Sequence, residues 1–233
     1  MSRDIDRSRN VGYPVYGVTM ISARNRLVQL DSGSPLQVRD ATVNQDDYVI
    51  ADRCEVVFVP AERIVEALEL GERIDRRQAL MVRDVRSSKP IAEVMHDKKF
   101  DSIRQETTAP VSVGSRQPSN RNQARDEDRE LPALFAHSDT PAVSDALDKL
   151  GISGQALNIM PLANYESVTV GPAFTVRYVP ASNPPGSVGD FIDDVAIGDV
   201  VVIDNCGRTD CTVWGDIVVA DANGVVIVPR DGA

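Results

Sequence analysis

The stretch SDTPAVSDALDKLG, residues 138–151, contains the start, the apolar face and the end of one helix. Ser138 and Asp139 are residue types that cap helix amino termini, and Pro141 stands where a first-turn proline is tolerated. Apolar residues then recur at intervals of three and four, which predicts one buried face. They are Val143, Ala146, Leu147 and Leu150. Gly151 follows, at the place where a left-handed residue commonly ends a helix.

Working outward from this helix, apolar runs alternate with turn residues and predict an α/β domain. A long helix is predicted over residues 61–84, because Ile64, Leu68 and Gly71 lie on one side at helical spacing with Ile74 close by. Shorter helices are predicted near 90–98 and 191–195. The predicted strands are 13–18, 26–30, 47–52, 55–60, 168–170, 173–179, 199–204 and 225–229.

Residues 104–129 differ in kind from the rest of the chain. They are polar, rich in Ser, Asn, Gln and Pro, and lack apolar periodicity. Such a segment buries too little surface to offset the entropy of ordering it, which predicts a flexible linker. The chain is therefore divided into residues 1–103, the linker 104–129 and residues 130–233, with the two outer parts forming one domain.

Composition limits the classes of function. The 233 residues are 42% hydrophobic, which allows a buried core, and the formal net charge is −10. An acidic protein repels phosphate, so nucleic acid and an anionic membrane are not expected partners. No apolar run is long enough to cross a membrane, and the start of the chain lacks a signal peptide's apolar region. Three cysteines without framework spacing favour a reduced, cytoplasmic protein.

The chain contains one internal similarity. Residues 47–60 and 216–229 align without gaps and are identical at 8 of 14 positions. A recurring strand-turn-strand composition explains this as well as a true structural repeat or a splicing scar does.

Several motifs in the second half resemble those of the RraA-like family, in the order of that family's amino-terminal half. This family includes 4-hydroxy-4-methyl-2-oxoglutarate aldolases, oxaloacetate decarboxylases and non-catalytic regulators of ribonuclease activity. The motifs are TPAVSDALD (140–148), VGPAFTV (170–176), GDVVVID (198–204) and WGD (214–216).

The first half resembles the family's carboxy-terminal half. Arg3-Asp4 is similar to its Arg-Asp motif, residues 12–16 to the strand after it, and residues 47–60 to its last strand pair. The order of the halves is thus reversed, as in a circular permutant, with the linker joining the family's own termini. A rival alignment treats residues 216–229 as a second copy of 47–60, and Arg230-Asp231 is a second candidate for the Arg-Asp motif.

The resemblance implies a swivelling β/β/α domain with a central β-sheet, a barrel-like portion and flanking helices, assembled as a homotrimer or hexamer. It implies a lyase that cleaves a carbon–carbon bond of a small 2-oxo acid through a pyruvate enolate, by aldol cleavage or oxaloacetate decarboxylation. It assigns Arg3 to the pyruvyl group, Asp4 to a Mg²⁺ or Mn²⁺ ion, Asp216 to proton transfer, and the backbone near Gly215 to a substrate carboxylate. Stabilising the enolate requires such positive charge, since a guanidinium pairs with carboxylates and a divalent ion polarises the keto oxygen. The alternative is a non-catalytic binding or regulatory protein on the same fold.

Overall fold

A computed structural model of the chain describes residues 5–18, 27–95, 139–182, 186–187, 189–208, 210–214 and 224–228. The predicted linker, 104–129, lies outside these residues. The division of the chain into two halves and a join therefore stays a prediction.

The described part of the chain is mixed α/β. Its strands are β1 (Val15–Gly17), β2 (Leu27–Ser32), β3 (Leu36–Val38), β4 (Ala41–Val43), β5 (Tyr48–Ala51), β6 (Val56–Val59), β7 (Met160–Ala163), β8 (Thr169–Pro180), β9 (Val200–Asp204) and β10 (Gly224–Val228). Its α-helices are α1 (Ile5–Asn10), α2 (Ile64–Arg86), α3 (Ile91–Met95) and α4 (Thr140–Leu150). Single 3₁₀ turns cover Ala61–Arg63 and Ile192–Asp194.

Helix α4 forms as the sequence predicts. The Asp139 carboxylate accepts a hydrogen bond from the Ala142 N–H at 3.0 Å, which satisfies one of the unpaired donors of the first turn. Gly151 ends the helix in the left-handed region, at φ 68°. The predicted apolar face is buried at Val143, Ala146 and Leu147.

The main sheet is curled and has eight strands. Seven follow the order β6-β5-β8-β9-β10-β1-β7, and β2 pairs with β8 beside this path. Strands β8, β9, β10 and β1 are mutually parallel, whereas β5, β6, β2 and β7 pair antiparallel. Strands from before residue 95 and strands from after residue 139 thus pair with one another in one sheet.

Strand β8 corrects one prediction, because the separate strands expected at 168–170 and 173–179 are one continuous strand. The Gly-Pro pair at 171–172, between the two predicted strands, does not break it. The glycine instead permits close approach, since a Cβ on Gly171 would lie 2.1 Å from the Gly198 carbonyl oxygen. Pairing with β5 runs through both residues, with Gly171 opposite Val49 and Pro172 opposite Tyr48, and the Ala173 N–H then donates to the Asp47 carbonyl at 2.6 Å.

Three apolar clusters hold these elements together. One face of the parallel strands packs with α1, Phe191 and Trp214. The opposite face packs under the β3–β4 hairpin, which the sequence did not predict, with Leu36, Val38 and Val43 buried. Helices α2 and α4 pack on the β5–β6 end of the sheet. At the other end, α1 packs against β7.

Two further observations concern the chemical setting. All three cysteines are free thiols, with Cys54 exposed, Cys206 half-buried and Cys211 buried. Among the described helices, none combines the length and the apolarity needed to cross a membrane.

Candidate functional site

The four residues that the sequence assigns to the site lie outside the described residues: Arg3, Asp4, Gly215 and Asp216. Their immediate neighbours in the chain are described. Ile5, which follows Asp4, begins α1, and Trp214 comes directly before Gly215. The geometry around these two neighbours is therefore what the structure contributes to the site.

The segments that adjoin the predicted residues meet in one apolar cluster. Ile5, Tyr13 and Trp214 are at most 6% exposed and belong to the same core. The rings of Tyr13 and Trp214 stack, with centroids 5.8 Å apart and planes 14° from parallel. Offset stacking of this kind adds to the energy of burial, so the contact between the two segments is stable. Burial also raises the pKa of the Tyr13 hydroxyl far above its ordinary value, which keeps the group protonated.

The carboxyl ends of the parallel strands β8, β9, β10 and β1 lie at one edge of the sheet. In open α/β sheets, ligands bind at this edge. The loop that leaves β9 at this edge is tightly built. The Asp204 carboxylate accepts from the Cys206 N–H at 2.8 Å, and the Asn205 side-chain amide donates to the Arg208 carbonyl at 2.6 Å. Cys206 and Gly207 both have positive φ, 57° and 69°, so the chain turns sharply as it leaves the strand.

Within the described residues, two guanidinium groups lie at this edge, and each is paired with a carboxylate. Arg208 meets Asp210 through two parallel bonds, Nε to Oδ1 at 2.7 Å and Nη2 to Oδ2 at 2.6 Å. This pairing raises the pKa of Arg208 above its ordinary value. Arg177, on β8, is hydrogen-bonded to Asp31 of β2. Both cations are thus paired, so neither offers an unpaired positive charge to an anionic substrate.

Some buried polar atoms near the edge lack partners. Within the described residues, neither Asn205 Oδ1 nor Trp214 Nε1 has a hydrogen-bond partner, although both side chains are at most 3% exposed. Such atoms cost free energy unless a neighbouring group satisfies them. Sequence reasoning did not single out Asn205 or Arg208. The polar pair Asp204-Asn205, which follows the apolar residues of β9, is the sequence pattern that could have indicated this loop.

The described residues do not by themselves fit a divalent ion. No group of three or more histidine, cysteine, aspartate or glutamate side chains within them is placed to hold one. The carboxylates at the end of β9 and in the loop after it, Asp204 and Asp210, already accept hydrogen bonds from Cys206 and Arg208. The metal prediction therefore depends on Asp4.

Comparison with known proteins adds the family. The family model described as RraA-like, Aldolase/RraA, matches residues 140–223. This segment, 84 of the 233 residues, is similar to RraA-like proteins. It runs from the first residue of α4 through β8, β9 and the edge loop, and it includes the predicted Gly215 and Asp216.

One curated relative supports the same assignment. The protein DlpA of Legionella pneumophila is 43% identical over 79 residues, which is 33% of this chain and 13% of DlpA. The chain thus matches a small part of that relative's length. No solved structure matches the chain significantly. The RraA-like match covers neither residues 1–103 nor their order relative to 130–233, so the circular permutation stays a prediction.

Proposed function

We propose that this protein is a lyase that cleaves a carbon–carbon bond of a small 2-oxo acid. The substrate is a 4-hydroxy-4-methyl-2-oxoglutarate type acid, oxaloacetate, or both, since both reactions pass through a pyruvate enolate. The observation that supports the proposal is the RraA-like match at residues 140–223, in a family that includes aldolases and decarboxylases. Cytoplasmic location, a homotrimer or hexamer, and the absence of nucleic acid or membrane partners belong to the same proposal.

In this proposal the chain supplies four groups. Arg3 pairs with the pyruvyl carboxylate and the developing enolate, because its guanidinium is planar and permanently charged. The backbone near Gly215 holds a substrate carboxylate, and Asp216 transfers the proton. Asp4 holds Mg²⁺ or Mn²⁺, which suit carboxylate and water ligands. The contact of Tyr13 with Trp214 supports a common site, because it joins the segments next to Asp4 and Gly215.

The decisive assay is pyruvate formation from oxaloacetate with and without Mg²⁺ or Mn²⁺, after subtraction of a protein-free blank that contains the same metal. Turnover should vanish with EDTA and return with added metal. Arg3→Ala and Asp4→Ala should each lower kcat/KM about 100-fold, the usual cost of losing a group that stabilises developing charge. Asp40→Ala removes an exposed carboxylate from the β3–β4 turn and should leave turnover unchanged. Metal-independent turnover, or full activity in both site variants, would contradict the mechanism.

The second candidate is a non-catalytic binding or regulatory protein on the same fold. It is favoured by the pairing of Arg177 and Arg208 with carboxylates, which leaves the described edge with little free positive charge. A folded protein with no turnover on either 2-oxo acid, at any metal concentration, would favour this candidate over the lyase.

A further inference from the structure

The junction between α1 and β1 is closed by a defined backbone motif. The Tyr13 N–H donates to the Ser8 carbonyl at 2.9 Å, and the Gly12 N–H donates to the Arg9 carbonyl at 3.3 Å. With Gly12 at φ 74°, these two bonds form the Schellman motif that ends many helices. The segment that directly follows Asp4 therefore has a fixed path into the sheet.

Asn164 holds this junction from outside. It lies just beyond β7, and its side-chain Nδ2 donates to the Ser8 carbonyl at 2.6 Å and to the Tyr13 carbonyl at 2.8 Å. Both acceptors are carbonyl oxygens, so the amide nitrogen must face them, and its two hydrogens serve one carbonyl each. The Asn164 amide thus bridges the end of α1 and the start of β1, which lie on either side of the Schellman turn.

The backbone at this position explains why asparagine occupies it. Asn164 has φ 52°, in the left-handed region that favours glycine and tolerates asparagine and aspartate. Glycine would keep the backbone but lose both donors. Asparagine combines the left-handed conformation with two donors. The variants Asn164→Gly and Asn164→Asp therefore both keep the backbone conformation and remove the amide donors.

The junction is coupled to the edge loop through stacked rings. Tyr13, whose carbonyl Asn164 holds, stacks on Trp214 at 5.8 Å, and Trp214 adjoins Gly215. A shift of the junction would therefore move both α1, which begins directly after Asp4, and Trp214, which comes directly before Gly215.

We propose that Asn164 is a positioning residue: through the Ser8 and Tyr13 carbonyls it sets the α1–β1 junction and the Tyr13–Trp214 stack, and thereby the placement of α1 relative to Trp214. This inference rests on the proposed function for its effect on catalysis. Its effect on the Tyr13–Trp214 stack is independent of that function, and the experiment measures both.

The main variant is Asn164→Asp, which keeps the left-handed backbone and replaces two donors by a carboxylate facing two carbonyl oxygens. At pH 7.5 we expect kcat/KM on oxaloacetate to fall about tenfold, mainly in kcat, because small misplacements of reacting groups are costly. We also expect a red shift in the emission of Trp214, the one tryptophan of the chain, as its stacking loosens.

The pH dependence separates positioning from a general loss of structure. We expect the two facing carbonyl oxygens and partial burial to outweigh the Arg9 guanidinium, which donates to the Leu162 carbonyl at 3.3 Å, and to raise the pKa of the introduced carboxyl, so that it becomes protonated as the pH falls from 7.5 towards 5.5. A neutral carboxyl can donate to one carbonyl. Restoring one of two bonds should recover about half of a tenfold loss on a logarithmic scale, about threefold, relative to Asn164→Gly at the same pH. The emission shift should reverse over the same range in Asn164→Asp and not in Asn164→Gly.

Gln155→Glu is the matched control. Gln155 is also half-buried, its amide donates to Asp148 at 2.9 Å and to Ser144 at 3.2 Å, and it bridges to β6, at the opposite end of the sheet order from β7. It should change neither the emission nor kcat/KM.

Wild-type emission in both Asn164 variants would overturn the proposal, as would loss of the far-UV circular dichroism in both, since Asn164 would then support the whole fold. If the wild-type protein has no lyase activity, the proposed function fails, and the emission shift with its pH reversal still decides for or against the positioning role.

Discussion

Replacing Asp52 with alanine tests the contact that ties the β5–β6 turn to helix α4. The Asp52 side chain is 8% exposed, and its carboxylate accepts from the Cys54 N–H at 2.7 Å, the Thr140 hydroxyl at 2.7 Å and the Thr140 N–H at 3.1 Å. Thr140 is fully buried and begins α4, 88 residues further along the chain. The contact therefore joins parts of the sequence on either side of residues 104–129.

The expected cost follows from these three bonds. An intramolecular hydrogen bond contributes about 1 to 1.5 kcal/mol net, so the loss of three gives about 3 to 4.5 kcal/mol for Asp52→Ala. In a chain of this size that loss lowers Tm by about 10 °C. Asp52→Asn keeps one acceptor oxygen and should cost about half as much. Thr140→Val loses the hydroxyl donor and keeps the N–H, so it should cost about 1 kcal/mol.

Urea unfolding followed by circular dichroism would measure these values. Because Asp52 and Thr140 share bonds, the double variant should be less destabilised than the sum of the single variants, by at least about 1 kcal/mol. Asp40→Ala, at an exposed turn, should change stability by less than about 0.5 kcal/mol. A loss below about 1 kcal/mol in Asp52→Ala, or strict additivity with Thr140→Val, would refute the reasoning.

Two further predictions concern stability. Burial, with Asp139 and Glu72 nearby, raises the pKa of Asp75 to about 6, so its charged form is disfavoured in the folded state. The protonated Asp75 side chain therefore contributes fully to the free energy of unfolding below its unfolded pKa near 4, and this contribution is lost as the pH rises through 6. Asp75→Asn should raise Tm at pH 7 by an amount that disappears near pH 4. An equal gain in Tm at both pH values would contradict this. Gly171→Ala would place a Cβ 2.1 Å from the Gly198 carbonyl oxygen, and thermal unfolding should show a loss of about 3 kcal/mol, whereas a neutral effect would show that β8 can move away from that turn.

The parts of the fold that the sequence predicted are those with a local cause. Helix α4 carries its own cap, apolar face and terminating glycine, and α2 buries Ile64, Leu68, Gly71 and Ile74 as its spacing predicts. The β3–β4 hairpin was missed because its turn contains Arg39 at φ 51° instead of the usual glycine or asparagine. Gln37 compensates by donating to the Arg39 and Ala41 carbonyls at 2.6 and 3.0 Å. Strand β7 was missed because its partner β1 lies far away in sequence.

The candidate site was predictable in part for a related reason. Arg3, Asp4 and Asp216 came from motif resemblance, which names residues without placing them. Asn164 and the paired Arg208 carry no motif, and their roles follow from which carbonyls and carboxylates the fold brings to them. Contacts between distant segments, such as Tyr13 on Trp214, cannot be found from spacing along the chain.

The similar stretches 47–60 and 216–229 show how strongly such context acts. Residues 56–59 form β6, an end strand that pairs antiparallel with β5. The aligned residues 225–228 lie in β10, a central strand with parallel neighbours on both sides, β9 and β1. Strand preference is set largely by packing against neighbours, so near-identical apolar runs can serve in either place. The likeness of the two stretches therefore does not make them structurally equivalent. Within the described residues, β10 also differs from β6 in its neighbours, since β1, which follows α1 in the chain, pairs with it through Val15 and Tyr16.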